Sequence, residues 1–175
     1  MGSFRTFRRF LRPEAVKLAL ATRAVPEGDL PQDFDPESEK NLDRIREGVV
    51  DELCGLFEAT ACVSSRSKLF KDLLNREKKA VTAVGGGIAL PHVRTLQARE
   101  FVMCFARSIE GLPFRAPDGE SVHLFFGMVA PPYDDRTYLK VYQHLASFLI
   151  DPEHVKQFLE ADEPGVILRL LDIFR

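Results

Sequence analysis

Tryptophan is absent from this 175-residue chain, and tyrosine and cysteine occur three times each. The three thiols, Cys54, Cys62 and Cys104, form no Cys-x-x-Cys pair and keep no His/Cys ligand spacing. An odd count without those spacings speaks against a disulfide framework or a structural zinc site and points to a reducing cytoplasm. A basic excess is missing too: 24 Lys+Arg stand against 26 Asp+Glu, for a net charge of −2, whereas a nucleic-acid binder carries clustered positive charge. The longest apolar runs, at 122–129 and 145–150, fall far short of the roughly 18 residues of a membrane span. At the N-terminus Arg5, Arg8, Arg9 and Arg12 precede Pro13, Glu14 and Lys17, which interrupt the apolar segment a secretory leader needs. His-Glu-x-x-His, Gly-x-Ser-x-Gly and a P-loop Gly-Lys-Ser/Thr are absent, so zincin, hydrolase and NTPase chemistry lose their usual anchors. The expectation is a cytoplasmic protein with no metal, no cofactor, no nucleic-acid partner and no integral membrane segment.

What is present is ordinary globular material: 45% hydrophobic residues, 14 phenylalanines, and 11 each of glycine and proline. The length fits one domain able to bury its own core. Residues 1–10 read as a basic arm, with Phe4, Phe7 and Phe10 on one face of a short helix packing onto a domain over 11–175. Met1-Gly2-Ser3-Phe4-Arg5-Thr6 fits the myristoylation pattern formally, but so short a match is better read as chance. Residues 16–20 read as a first strand. An acidic surface loop follows at about 25–40, with three prolines and Gly28. Its charge is opposite to that of the arm, so the two either pair with each other or recruit an outside partner.

Leu42, Ile45, Val49, Leu53 and Leu56 recur at helical spacing, and a second helix follows Ser64-Ser65 to about Arg76-Glu77. The period then changes. Segments 80–84, 88–90, 101–106 and 122–129 are short, β-branched or aromatic and bounded by Gly or Pro, which predicts strands. Pro117-Asp118-Gly119 marks a turn. After Pro131-Pro132 helices return, with Leu139, Tyr142, Ala146 and Leu149 on one face, then Val155, Phe158 and Leu159, then Val166, Ile167, Leu170, Leu171 and Phe174. The fold class expected is α/β: a mixed parallel/antiparallel sheet flanked by helices on both faces.

Of four histidines, His123 lies in an apolar strand, His154 at a helix start and His144 on a helix rim; structural or solvated roles suit them. His92 differs. It closes Gly85-Gly86-Gly87-Ile88-Ala89-Leu90-Pro91-His92, and Pro91 disfavours helix at Leu90, so the chain reaches His92 extended. An imidazole presented in this way suits a proton carrier, a metal ligand, a phosphoryl acceptor, or a turn histidine bonded to backbone. A dinucleotide loop does not fit, because the run ends in Pro-His and opens no helix.

The segment resembles the enzyme IIA family of the bacterial phosphoenolpyruvate:sugar phosphotransferase system, of the mannitol/fructose and nitrogen-regulatory type. Arg76-Glu77, Thr82, Gly85-x-Gly87 and Ile88-Ala89-Leu90-Pro91-His92 carry the resemblance. Glu110-Gly111-Leu112-Pro113-Phe114, Asp118-Gly119, Val122 and Pro131 follow in order, and 138–151 resembles the family's later helix. The resemblance implies that His92 accepts phosphate from an HPr-like phosphocarrier and passes it to an enzyme IIB-like partner, or signals by it to a transporter or kinase. It also implies that Arg76 faces the phosphate, that Gly85, Gly86, Gly87 and Thr82 bind it, and that no metal or cofactor takes part. Where the family places a second histidine, followed by Leu, this chain has Tyr138-Leu139. A phenol hydrogen-bonds but cannot become cationic. Gly86 replaces a residue that is often polar, and Val93 one that is usually small. These departures keep a second class open: an interaction module of the same fold that no longer carries phosphate.

Overall fold

Ser38 ends the acidic loop by capping the longest helix, its hydroxyl accepting the Asn41 amide at the start of α1 (Glu39–Ala59). In this computed structural model, which describes residues 9–172, α1 buries Ile45, Val49, Leu53 and Phe57 as the spacing predicts; Leu42 and Leu56 lie half-buried at the edge of that stripe. Asn41, itself buried, donates to the Ala24 and Pro36 carbonyls and so ties the loop back onto the helix. Ser65 caps α2 (Arg66–Lys79), which packs along α1.

The sheet has six strands: β1 (Leu11–Lys17), β2 (Ala83–Gly85), β3 (Ile88–Ala89), β4 (His92–Arg94), β5 (Val102–Leu112) and β6 (Val122–Ala130). They run in the order β1-β5-β6-β3-β2, and β4 also pairs with β6. The β5–β6 and β2–β3 pairs are antiparallel, whereas β1–β5, β3–β6 and β4–β6 are parallel. Three helices complete the chain, α3 (Asp135–Phe148), α4 (Pro152–Glu160) and α5 (Pro164–Asp172). The two sheet faces are told apart at the centre of β5–β6. Cys104 pairs with Gly127, and a Cβ on Gly127 would meet the Phe57 ring of α1. The neighbouring pair, Phe105 and Phe126, points the other way and packs edge-on or tilted against Phe158 of α4, with ring centroids 5.1 to 5.7 Å apart. Helices therefore flank the sheet on both faces.

The structure moves several predicted boundaries. The first strand is not 16–20 but Leu11–Lys17; β1 bonds only to β5 and its register slips between Leu11 and Val16, so an edge position with a bulge accommodates Pro13. The predicted strand 80–84 shrinks to Ala83–Gly85 because α2 runs on to Lys79. β5 extends past 106 to Leu112, and β4 was not predicted at all. On α3 the buried residues are Val141 and Leu145, and Leu139, placed on the core face from its spacing, is 52% exposed. Phe4, Phe7, Phe174 and the Met1–Thr6 pattern lie outside the described residues. Phe10 is buried edge-on against Phe101 at 4.8 Å.

Candidate functional site

Pro91 delivers the chain to β4 with its carbonyl accepting the Met128 amide, and His92 then sits beside Met128 on β6. Met128 shares its face with Phe126, the face that α4 covers. On that side His92 meets two tyrosines of α3. Its ring lies 5.5 Å from Tyr138, tilted by 54°, and 5.4 Å from Tyr142, edge-on at 72°. Arg76, in the last turn of α2, also reaches the ring.

Two contacts define the state of the imidazole. Nδ1 lies 2.6 Å from the Leu90 carbonyl oxygen and Nε2 lies 3.0 Å from Arg76 Nη2. A carbonyl only accepts and a guanidinium only donates, so Nδ1 carries the proton and Nε2 holds a bare lone pair. Electrostatics agree. Burial pushes the His92 pKa below its ordinary value and the Arg76 charge lowers it further, against the opposing pull of the Leu90 carbonyl. The ring is thus kept neutral, in one tautomer, with its nucleophilic nitrogen on a cation.

Arg76 is itself held by Nη1 donating to the Ala80 carbonyl at 2.8 Å. The next residue, Glu77, is buried, and its carboxylate accepts both the Thr82 amide (2.9 Å) and the Thr82 hydroxyl (2.6 Å). Burial raises the Glu77 pKa, opposed by the two hydrogen bonds from Thr82 and by the charges of Arg46 and Arg76. The Thr82 carbonyl accepts the Leu90 amide, and the Leu90 carbonyl holds His92. One run of bonds therefore links the end of α2 to the ring: Glu77, Thr82, Leu90, His92.

Of the residues singled out in the sequence, Arg76, His92 and Tyr138 come together, whereas the other four are placed differently. The Thr82 hydroxyl is engaged by Glu77 rather than facing the ring. Gly85, Gly86 and Gly87, all at positive φ, form the β2–β3 hairpin, a left-handed path that glycine enters at no steric cost. The hairpin lies next to Leu124 rather than Met128 in the β6 register, about 13 Å from His92 at strand rise. The Gly86 amide donates to Asp118 Oδ2 at 2.7 Å, and the Gly87 carbonyl accepts from the His123 and Leu124 amides. The other histidines are structural or peripheral. His123 contacts the Ser108 carbonyl through Nδ1, His154 stacks on Phe148 at 3.6 Å, and His144 is exposed on α3.

Sequence reasoning missed Tyr142 and Arg94. The first was legible as the i+4 neighbour of Tyr138. The second needed β4, since His92 and Arg94 share a strand face only once that strand exists. Arg94 pairs with Asp135 in the first turn of α3. Burial raises the Tyr138 pKa, as does Tyr142, while Arg76 and Arg94 pull it down; the phenol keeps its proton at neutral pH.

A mixed sheet flanked by helices and presenting a neutral, arginine-bound histidine at a strand start is an arrangement with known relatives. Residues 42–173 match the family described as phosphoenolpyruvate-dependent sugar phosphotransferase system, EIIA 2. The chain belongs to that family. It is 30% identical over 126 residues to the fructose-specific EIIA component of Haloferax volcanii, covering 72% of this chain and 82% of that protein. It is equally 30% identical over 127 residues to the fructose-specific EIIABC component of Bacillus subtilis, covering 73% of this chain but spanning only 20% of that longer protein. Among solved structures, the nitrogen regulatory protein IIA-Ntr from Neisseria meningitidis superposes with a TM-score of 0.74 at 22% identity, covering 94% of this chain and 97% of the other, which shows the same fold. Among the described residues, no helix is long and apolar enough to cross a membrane.

Proposed function

We propose that this domain is a phosphoryl relay in which His92 Nε2 accepts a phosphoryl group from an HPr-like phosphohistidine protein and hands it to an enzyme IIB-like partner, or signals by it. The observation that carries this reading is the bare Nε2 lone pair facing Arg76 Nη2 at 3.0 Å, with Nδ1 fixed on the Leu90 carbonyl at 2.6 Å. In the transfer, Arg76 Nη2 gives up its hydrogen bond to Nε2 for the phosphoryl oxygens. The freed lone pair forms an N–P bond while the donor's P–N bond breaks and its electron pair returns to the donor ring nitrogen. The proton stays on His92 Nδ1, hydrogen-bonded to the Leu90 carbonyl, so charge developing on the imidazole is met locally. A loose transition state spreads charge over three oxygens, and the Arg76 fork offers donors to two of them. The Tyr138 hydroxyl, kept protonated, adds a neutral donor. The IIB-like acceptor is supported by the Bacillus subtilis relative, whose single chain is an EIIABC component.

The test is incubation with phosphoenolpyruvate, enzyme I and an HPr-like carrier, read by intact mass. An acid-labile gain of one phosphate, lost in His92→Ala, is the expected result. Absence of labelling by every cognate donor would overturn the relay and leave the interaction-module reading, for which the uncharged Tyr138 and Tyr142 are the favouring observation.

A further inference from the structure

A phosphoryl group on His92 would bring two negative charges to a half-buried ring whose aromatic neighbours, Tyr138 and Tyr142, are neutral. Arg76 supplies one cation. A second guanidinium stands two residues along the same strand. His92 and Arg94 lie on one face of β4, facing Met128 and Ala130 of β6, with Cα atoms about 6.6 Å apart at strand rise. Across from them, Asp135, Tyr138 and Tyr142 follow one another at i, i+3 and i+7 on a single face of α3. The two elements therefore meet as a ladder in which His92 packs against Tyr138 and Tyr142 while Arg94 pairs with Asp135. Both guanidinium groups lie close enough to act on the Tyr138 phenol, whose ring packs against His92.

We propose that Arg94 is a second phosphate-binding cation of this site, held by Asp135 in the unphosphorylated protein and released to the phosphoryl oxygens on His92. The inference rests on His92 being the phosphoryl acceptor. The exchange is physically favourable. The Arg94–Asp135 pair is about half exposed, at 49% and 60% for the two side chains, and exposed pairs of this kind are weak and screened. A phosphoryl dianion offers the same guanidinium a bidentate partner carrying more charge. Asp135 thereby sets how readily the second cation is available, and loss of its partner on phosphorylation leaves a free carboxylate at the start of α3, beside the site.

The experiment uses phosphoramidate, a small phosphoryl donor that needs no partner protein, and follows the rate of phospho-His92 formation by intact mass. Arg94→Gln is expected to slow labelling about tenfold or more, on the scale seen when one charge-stabilising donor is removed. Arg94→Lys should retain part of the rate, as a point charge without the fork. Asp135→Asn is expected to act in the opposite direction and speed labelling a few-fold, because it frees Arg94. A purely structural ion pair would be damaged alike from either side, so slowing by both variants, or no change in Arg94→Gln, would overturn the proposal. Thermal melting of each variant separates these results from unfolding. Labelling by phosphoramidate but by no protein donor would remove the relay and leave the Arg94 comparison readable. Failure of phosphoramidate to label His92 would overturn both.

Discussion

A histidine attacks phosphorus only through a ring nitrogen without a proton, and here two opposite partners enforce that condition. Leu90 offers an acceptor and Arg76 a donor, so neither contact survives the other tautomer, and burial with the Arg76 charge resists the doubly protonated ring. The sign of the pH dependence follows. The folded ring takes its proton at a lower pH than the ordinary value of 6.5, so on acidification the unfolded chain is protonated first. His92 therefore subtracts stability as pH falls below about 6.5, while its neutral, nucleophilic form persists through the neutral range. NMR titration of the His92 ring should give a midpoint below 6.5 and nitrogen shifts of an Nδ1-protonated imidazole. A midpoint above 6.5 would mean that the ring is not buried beside Arg76 in solution.

At the scale of elements, the glycine hairpin and the Pro-His strand start are one stretch of sequence but two ends of a strand edge. The hairpin is a folding device: three residues at positive φ, its Gly86 amide on Asp118, its Gly87 carbonyl on β6. A Cβ on Gly86 would meet nothing within 4 Å, and at φ +62 asparagine is tolerated. Gly86→Asn should therefore label on His92 within about twofold of the parent and lose only a few tenths of a kcal/mol. Labelling that collapses in a variant of unchanged melting temperature would place the hairpin amides in the phosphate site after all. The sequence pattern was legible where one local force acts alone: capped amphipathic helices, the central strands, and the extended approach to His92. It was not legible where partners distant in sequence decide. The first strand is expected from residue 16, and it takes β5, with an edge position and a bulge, to carry it back across Pro13 to Leu11. No strand is expected at Arg94, and it takes β6 to give β4 a neighbour. Thr82 looked like a phosphate ligand until Glu77, five residues earlier, claimed its hydroxyl.

For the whole molecule, the placement of His92 depends on how closely α1 approaches the middle of the sheet. That approach is set by Gly127, whose missing side chain leaves room for Cys104 Sγ and the Phe57 ring; a Cβ there would fall 2.5 Å from the sulfur and 3.0 Å from the ring. All three residues are in the core, Cys104 and Phe57 fully buried, so nothing can move aside cheaply. Gly127→Ala should cost about 1–3 kcal/mol by overpacking, or roughly 2–4 °C of melting temperature per kcal/mol for a chain of this length. The next residue, Met128, donates its amide to the Pro91 carbonyl at 2.8 Å and faces His92 across the β4–β6 pair. Strain at Gly127 therefore bears on the strand that carries the site, and labelling should slow with the loss of stability. Cys104→Ala removes the nearer obstacle, so the double variant should recover part of both, a coupling that a double-mutant cycle reads directly. Additive losses would show that β6 yields elsewhere, and that the α1 contact does not set the position of His92.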